Sequence, residues 1–318
     1  MEYRKIIKFG NSSHVVSLPS SWLKKNNLNK GDTVFFEENG NNELIFYTRL
    51  SDKKENLKEY VINSNNRPIS YITREVISSY MNNYDLIKIL GKDIDKKSVE
   101  VRNIIHGLVG LEVVEQSNNQ IVAKDFLNIK EISLYGMIRR ADTIIKNMLN
   151  NSKECFKTDH CVSINNSDLD VNRLYYVVGR ITKAAVNNPQ LVKEMNLTYY
   201  DIMNIWRMLI NLENFADECK RISRLLRQVK LKKTEIEELL QIYKDIESMY
   251  AESMKAFYNK DRELAYAVLE KRRPIVKRIN DFLEIESGNI VVRIIEKMKN
   301  MVTNVKQISR IVVDISME

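Results

Sequence analysis

Glycine and proline are scarce in this chain, with 9 and 4 residues among 318. Both interrupt regular structure, so their scarcity favours long helices over sandwiches or loop-rich folds. No apolar run approaches the length of about twenty residues that a membrane-spanning helix needs. The first residues, Met1–Lys5, also lack the apolar core of a secretory signal. We therefore expect a cytoplasmic protein with no membrane insertion.

Cysteine and histidine are equally scarce, with three residues of each. Three scattered cysteines are too few for a disulfide framework, which indicates a reducing compartment. Cys155, His160 and Cys161 lie close together in the sequence and raise the alternative of a zinc site. Their spacing matches no common zinc pattern, and no second Cys/His pair completes a tetrahedron. The sequence favours a polar loop with two free thiols.

Positive charge is in excess, with a net charge of +8 at pH 7. Such an excess suits a nucleic acid or an acidic membrane-associated partner. Within residues 1–30 the single acid is Glu2, whereas acids return over residues 32–43. The cations of residues 1–30 are Arg4, Lys5, Lys8, Lys24, Lys25 and Lys30. One edge of this segment is therefore basic, and two such edges side by side would attract phosphates.

The first fifty residues predict four short strands and one helix. The strands are predicted at Lys5–Phe9, Val15–Leu18, Thr33–Glu38 and Leu44–Tyr47, and the helix from Trp22. A Gly10–Ser13 turn separates the first two strands, and Asn39-Gly40-Asn41 is a hairpin signal between the last two. A segment of this length cannot bury enough apolar area by itself, so we expect it to dimerise.

The order strand, strand, helix, hairpin resembles the AbrB/SpoVT family of swapped-hairpin DNA-binding domains. The resemblance depends on the run Ser-His-Val-Val-Ser-Leu-Pro at Ser13–Pro19, followed by Gly31-Asp32. It implies an intertwined homodimer that contacts DNA through the basic edge. The DNA-binding residues expected from it are Arg4, Lys5, Lys8, Asn11, Ser12, Ser13, Lys24 and Lys25.

The rest of the chain divides by pattern into a mixed segment and a helical one. Residues 51–128 predict a small α/β linking module, with helices at Pro68–Asn83 and Lys96–His106 and a strand at Leu86–Leu90. A hairpin is predicted from Leu111–Val114 and Gln120–Ala123. The sequence of this module offers no recognisable chemistry.

Residues 129–318 show apolar residues at spacings of three and four, typical of an antiparallel helical bundle. Six helices are predicted at Glu131–Leu149, Asp168–Asn187, Leu197–Val229, Thr234–Asn259, Arg262–Leu283 and Ser287–Ile315. The order short, medium, long occurs twice, which indicates two repeated three-helix bundles. The predicted fold is thus multidomain, with a β-rich domain over residues 1–50, the α/β module and an all-α body.

Two short motifs in the body resemble the PhoU family of phosphate-uptake regulators. The run Leu-Glu-Asn-Phe-Ala-Asp at Leu212–Asp217 is similar to a Leu-Glu-Arg-Ile-Ala/Gly-Asp signature. The second, at Ala256–Ala265, is similar to an Ala-Phe-x-x-x-Asp-x-x-Leu-Ala run. An AbrB-like head on a PhoU-like body resembles archaeal phosphate regulators.

PhoU repeats can hold metal clusters between acidic pairs on two facing helices. The matching positions of the first repeat are Asp168, Asn172, Glu213 and Asp217. A spacing of four places two side chains on one helix face, and oxygen ligands suit a hard cation. The resemblance therefore implies a metal ion such as iron, zinc or magnesium here. The alternative is that Glu213 and Asp217 form a solvated helix flank paired with Lys220 and Arg221.

The second repeat departs from this pattern. Its matching positions hold Arg273, Lys277, Glu296 and Asn300, and two cations would repel a metal ion. We expect Glu296 to pair with Arg273 or Lys277, and no second metal cluster. Pro274 should kink this helix or shift its start.

Together the two resemblances imply a non-enzymatic, DNA-binding transcriptional regulator of phosphate uptake and homeostasis. Its body would sense or relay phosphate status through phosphate transporter components or another phosphate-signalling protein. The alternative is a PhoU-type adaptor that restrains a phosphate transporter without binding DNA, its head serving only for dimerisation. A metal-dependent phosphoesterase is disfavoured, because no histidine accompanies the carboxylates and no glycine-rich loop could hold a phosphate.

Overall fold

The computed structural model describes residues 3–38, 43–48, 57–155, 161–186, 188–228, 231–285 and 288–317. These residues fall in two compact units, Met1–Asn56 and Leu57–Glu318. The first unit corresponds to the predicted β-rich domain and is called the head. The second combines the predicted α/β module, starting at Leu57, with the helical body.

In its described residues, the head contains two antiparallel strand pairs and one short helix. Its elements are strands β1 (Ile7–Phe9) and β2 (Ser13–Val15), helix α1 (Ser20–Lys25), and strands β3 (Phe35–Glu38) and β4 (Leu44–Tyr47). Gly10 has φ of 70° in the first hairpin turn, a conformation that glycine adopts without steric cost. Strand β2 begins at Ser13 and ends before Val16, so the predicted second strand is placed too late. The predicted turn Asn39-Gly40-Asn41 lies outside the described residues.

No side chain of the described head residues is buried, apart from Glu37, whose burial is not described. Large apolar side chains are instead exposed, including Tyr3 at 86%, Ile6 at 73%, Phe9 at 69% and Phe36 at 66% of their surface. The described residues of one head copy therefore form no hydrophobic core of their own.

The α/β module is a four-stranded sheet covered on one face by two helices. Its elements are β5 (Glu59–Asn63), α2 (Ile69–Met81), β6 (Leu86–Leu90), α3 (Ser98–His106), β7 (Leu111–Gln116) and β8 (Gln120–Asp125). The strand order is β5-β6-β8-β7, with β5 parallel to β6 and the other pairs antiparallel. Alternate residues of the sheet, such as Ile62, Ile89 and Ile121, pack against Ile72 and Ile105 of the helices. The sequence prediction missed only β5.

In the described part of the body, the structure contains the six predicted long helices and one additional short helix. They are α4 (Leu134–Glu154), α5 (Cys161–Val186), α6 (Pro189–Glu194), α7 (Tyr199–Leu226), α8 (Lys233–Asn259), α9 (Arg262–Ile285) and α10 (Asn289–Ile315). Helix α6 is the unpredicted one, and α5 starts seven residues earlier than predicted. The order short, medium, long holds for α4, α5 and α7, with 21, 26 and 28 residues. It fails for α8, α9 and α10, with 27, 24 and 27 residues.

The long helices form two three-helix bundles that share one core. Helices α4, α5 and α7 pack together, as do α8, α9 and α10, and α7 packs along α10. Helix α7 begins with a capping box in which Thr198 and Asp201 bond each other's backbone amides. Helix α9 starts at Arg262 as predicted and continues through Pro274, so the proline does not shift its start, and a kink at Pro274 stays a prediction.

The module contacts the body through α5. Arg180 of α5 forms a buried ion pair with Asp125 at the end of β8. Its Nε also donates to Asn83 Oδ1 at 3.0 Å, and Asn83 donates back to the Arg180 carbonyl at 3.1 Å. Helix α5 therefore belongs to the body core and to the junction with the module. No helix of the described residues is long and apolar enough to cross a membrane.

Candidate functional site between α5 and α7

Polar side chains line the contact between α5 and α7, in antiparallel order. Asn165 accepts a hydrogen bond from Arg224 at 2.8 Å, and Asp168 accepts one from Lys220 at 2.6 Å. Further along α5, Tyr175 stacks on Trp206 with ring centroids 4.8 Å apart. We call the stretch from Asn165 to Tyr176 with the facing residues of α7 the α5–α7 seam.

Lys220 is the central cation of the α5–α7 seam. Its Nζ lies 2.6 Å from Asp168 Oδ2 on the opposite helix and 2.7 Å from Asp217 Oδ1 on its own helix. The Lys220 side chain is 17% exposed and that of Asp168 only 5%. The second oxygen of Asp217, Oδ2, pairs with Arg221. The ammonium group therefore bridges the two helices in a largely dehydrated place.

Two oxygen atoms of the seam are buried without a hydrogen-bond donor from the described residues. They are Asp168 Oδ1 and Asn172 Oδ1, four residues apart on α5. Buried acceptors are almost always satisfied in folded proteins, by protein or by ordered water. These two oxygens thus mark a place where a donor or a cation would be stabilised.

Glu213, one turn before Asp217 on α7, has a carboxyl group whose pKa is raised. Burial above all, and then the neighbouring carboxylates of Asp217 and Asp168, raise the pKa of its carboxyl from 4.5 to about 7. Lys220 and Arg221 act in the opposite direction but do not compensate. The pKa of Tyr176 is raised as well, by burial first and then by Glu213. The seam thus contains a carboxyl group that exchanges a proton near neutral pH.

Asp168 and Asp217, two of the four predicted metal-binding residues, meet at Lys220, and this arrangement does not fit a metal ion. Their oxygen atoms are the donors that a hard cation prefers. However, Asp168 Oδ2 and both oxygens of Asp217 are already bonded to Lys220 or Arg221. Throughout the described ranges, no three His, Cys, Asp or Glu side chains group closely enough to hold a metal ion.

The alternative interpretation is correct for Asp217, which pairs with both Lys220 and Arg221. The flank is only partly solvated, because the Asp217 and Lys220 side chains are 21% and 17% exposed whereas that of Arg221 is 48% exposed. The contact of Lys220 with Asp168 was not predicted, because it depends on the register between two helices distant in sequence.

Glu218, a buried carboxylate on α7, was also missed by the sequence interpretation. It accepts a hydrogen bond from Asn300 of α10 at 2.9 Å and pairs with Arg221 of its own helix at 3.3 Å. Lys297 Nζ lies 4.0 Å from its other carboxylate oxygen. The two bundles are therefore linked by charge as well as by apolar packing.

The charged positions of the second repeat do not form the predicted pair. Arg273, Lys277 and Glu296 are all exposed. Among the described ion pairs, none joins Glu296 to Arg273 or Lys277. Asn300 faces Glu218 instead, which the helical frame of the repeat did not indicate.

The structure describes only part of the segment that raised the alternative of a zinc site. Cys155 is buried at the carboxyl end of α4, and Cys161 begins α5. His160 and the Cys161 side chain lie outside the described residues.

The predicted DNA-binding residues lie along the first hairpin and helix of the head. Lys8 is on β1, Asn11 and Ser12 form its turn, and Lys24 and Lys25 end α1. All the predicted contacts are exposed: Arg4, Lys5, Lys8, Asn11, Ser12, Ser13, Lys24 and Lys25. The structure thus leaves each of them accessible to a ligand.

Comparison with known protein families finds a match for the head. The family model of antidote-toxin recognition MazE, a bacterial antitoxin, matches residues 7–46. The head is MazE/AbrB-like. This match covers the residues from which the AbrB/SpoVT resemblance was predicted, and it confirms that resemblance. No curated protein matches the chain.

Two solved structures of PhoU proteins are similar to this chain. PhoU from Pseudomonas aeruginosa is 12% identical with a TM-score of 0.43, covering 58% of this chain and 92% of its own. The phosphate transport system regulatory protein PhoU from Streptococcus pneumoniae is 15% identical with a TM-score of 0.42, covering 57% and 91%.

Proposed function

We propose that this protein is a homodimeric, DNA-binding transcriptional regulator of phosphate uptake and homeostasis. The observation that carries the proposal is that the head matches a MazE family model and exposes both apolar and basic side chains. Its cytoplasmic location and lack of enzymatic activity are part of the same proposal.

Dimerisation follows from the missing core of the head. Exposed apolar area costs free energy in water, roughly 25 cal/mol for each Å² that could be buried. Phe9, Phe36 and Ile6 are each more than half exposed in a single copy. A second head would bury such side chains, as in the intertwined dimers that the AbrB/SpoVT resemblance implies.

DNA contact follows from the charge of the same unit. Lys8 lies on β1, and Lys24 and Lys25 lie in the last turn of α1. No ion pair of the described residues neutralises them. Unpaired cations on a small surface bind phosphates with release of counterions, and serine and asparagine side chains add hydrogen bonds to the backbone.

Phosphate regulation follows from the PhoU-like motifs of the body. In the first motif Leu212, Phe215 and Ala216 lie in the core, whereas Glu213 and Asp217 line the α5–α7 seam. The body would relay phosphate status by contacting transporter components or another phosphate-signalling protein. Coupling to DNA requires two arrangements of the chain with different DNA affinities.

The test is binding of the full chain to promoter DNA of phosphate-transport genes over a series of salt concentrations. Replacing Arg4, Lys5 and Lys8 by alanine should weaken binding. It should also flatten the slope of log affinity against log salt by about 0.9 for each lost phosphate contact.

The matched control removes the same number of charges from the body. Arg273, Lys277 and Arg293 are exposed cations of the second repeat, and their replacement by alanine should leave the slope unchanged. An unchanged slope in the head variant would move the DNA surface elsewhere. A chain that binds a phosphate transporter but no DNA would support the adaptor function instead.

A further inference from the structure

We propose that Lys220 is a tethered cation that takes the place of a metal ion in the first helical repeat, so that this repeat works without a metal. The inference depends on the α5–α7 seam alone, and it stands whether or not the head binds DNA.

The position of the ammonium group is the first argument. Lys220 Nζ lies between carboxylates of two helices, at 2.6 Å from Asp168 Oδ2 and 2.7 Å from Asp217 Oδ1. These are two of the four oxygen-bearing residues from which a metal site was predicted. A lysine ammonium is a compact point charge with three donors, so it can serve two carboxylates at once.

The charge balance of the seam is the second argument. Three carboxyl groups, Asp168, Glu213 and Asp217, interact with one another and with two cations, Lys220 and Arg221. Such a group of carboxylates is stable in a buried place only with compensating charge. Because Lys220 is covalently part of α7, this compensation does not vary with metal concentration.

The unpartnered oxygens are the third argument, and they give the proposal its test. Asp168 is 97% buried and its Oδ1 has no donor in the described structure, nor has Asn172 Oδ1. If the ammonium group were removed, these two atoms would join the freed oxygens of Asp168 and Asp217. Carboxylate and amide oxygens around one vacancy are a ligand set for Mg²⁺ or Mn²⁺.

The experiment compares Mn²⁺ binding by the full-length wild type and the Lys220→Ala variant, using isothermal titration calorimetry. The wild type should bind no Mn²⁺ at this site. The variant should bind one Mn²⁺ per chain, with an affinity at least about tenfold higher than that of any Mn²⁺ binding by the wild type. Mn²⁺ should also raise the melting temperature of the variant.

The matched control is Lys153→Ala. Lys153 is also half-buried and pairs across two helices, but with the single carboxylate of Glu247 at 2.7 Å. Its removal leaves too few oxygens for an ion, so this variant should behave like the wild type. The double variant Lys220→Ala/Asp168→Asn should lose the Mn²⁺ binding that Lys220→Ala acquires.

Two results would overturn the proposal. One is a folded Lys220→Ala protein whose titration and melting temperature do not respond to Mn²⁺. The other is Mn²⁺ binding by the wild type that disappears in Asp217→Asn. If Lys220→Ala does not fold, Lys220→Gln is used instead, because its amide can still donate to a carboxylate while the positive charge is gone.

Discussion

At the scale of single residues, Glu213 shows how a helix face determines acidity. Glu213 and Asp217 are one turn apart on α7, and both face Asp168 across the α5–α7 seam. Burial disfavours the charged form of Glu213, and the like charges of Asp217 and Asp168 disfavour it further, so its protonated form is favoured. Glu213 is the group that takes the proton, whereas Asp168 and Asp217 have cationic partners.

This acidity predicts a pH-dependent stability. The folded-state pKa of Glu213, about 7, lies above the ordinary value of 4.5. The folded state therefore binds the proton more tightly than the unfolded state does. The associated stability is fully present below pH 4.5 and is lost as the pH rises through 7. Glu213→Gln stays neutral, so its free energy of unfolding should improve relative to wild type between pH 5 and pH 8, as measured by urea denaturation.

The control for this prediction is Glu263→Gln, which replaces an exposed glutamate of α9. Its stability should follow that of the wild type across the same pH range. If the Glu213→Gln and wild-type curves also stay parallel, Glu213 does not bind its proton in the way described.

The same residues show what the sequence could predict about the site. The spacing of four correctly placed Asp168 with Asn172 and Glu213 with Asp217 on single helix faces. It could not show that Lys220, one turn beyond Asp217, points across to Asp168. That contact is set by how α5 slides along α7, which depends on the packing of the whole core.

At the scale of elements, α5 is anchored to the module as well as to its own bundle. Arg180 and Asp125 are 4% and 8% exposed, so their ion pair is almost fully removed from water. The Arg180 guanidinium also lies over the ring of Tyr80, 4.7 Å from its centre. Such a pair is expensive to break, because the remaining charge stays buried.

We therefore predict that Arg180→Ala destabilises the protein by about 3–5 kcal/mol, since Asp125 is left as an uncompensated buried charge. Denaturation of the full chain in urea measures the loss. Arg173→Ala is the matched control on the same helix, because Arg173 is 41% exposed and donates to the carbonyl of His106. It should cost within about 1 kcal/mol. Equal losses in the two variants would show that the Arg180 pair is not special.

The elements that the sequence interpretation missed are those with weak local signals. Strand β5 has only three apolar residues, and it pairs in parallel with β6 across the intervening helix α2. Helix α6 has only six residues, although Asn188 caps its start and Pro189 occupies the first turn. An Asn-Pro pair is a helix-start signal and could have identified α6. The long helices were found because their apolar spacing persists over many turns.

At the scale of the whole molecule, the exposed apolar side chains of the head predict that the full chain is a dimer. Replacing Phe9 and Phe36 by aspartate should shift it towards monomers, because charges would be buried between the two heads. Sedimentation velocity at micromolar concentration measures the change. Leu169→Asp, on an exposed position of the body, is the control and should leave the dimer intact. A wild-type chain that sediments as a monomer would contradict the dimer.

Helix α5 is anchored at two positions along its length, Asp168 and Arg180. An α-helix rises about 1.5 Å per residue, so Asp168 and Arg180 are separated by about 18 Å along a single axis. Asp168 forms an ion pair with Lys220 and Arg180 forms one with Asp125, and the helix between them is continuous. A rotation of α5 about its axis that changes the contact of Asp168 with Lys220 would therefore also change the contact of Arg180 with Asp125. Helix α5 thus couples the carboxylates of the body to the sheet of the module.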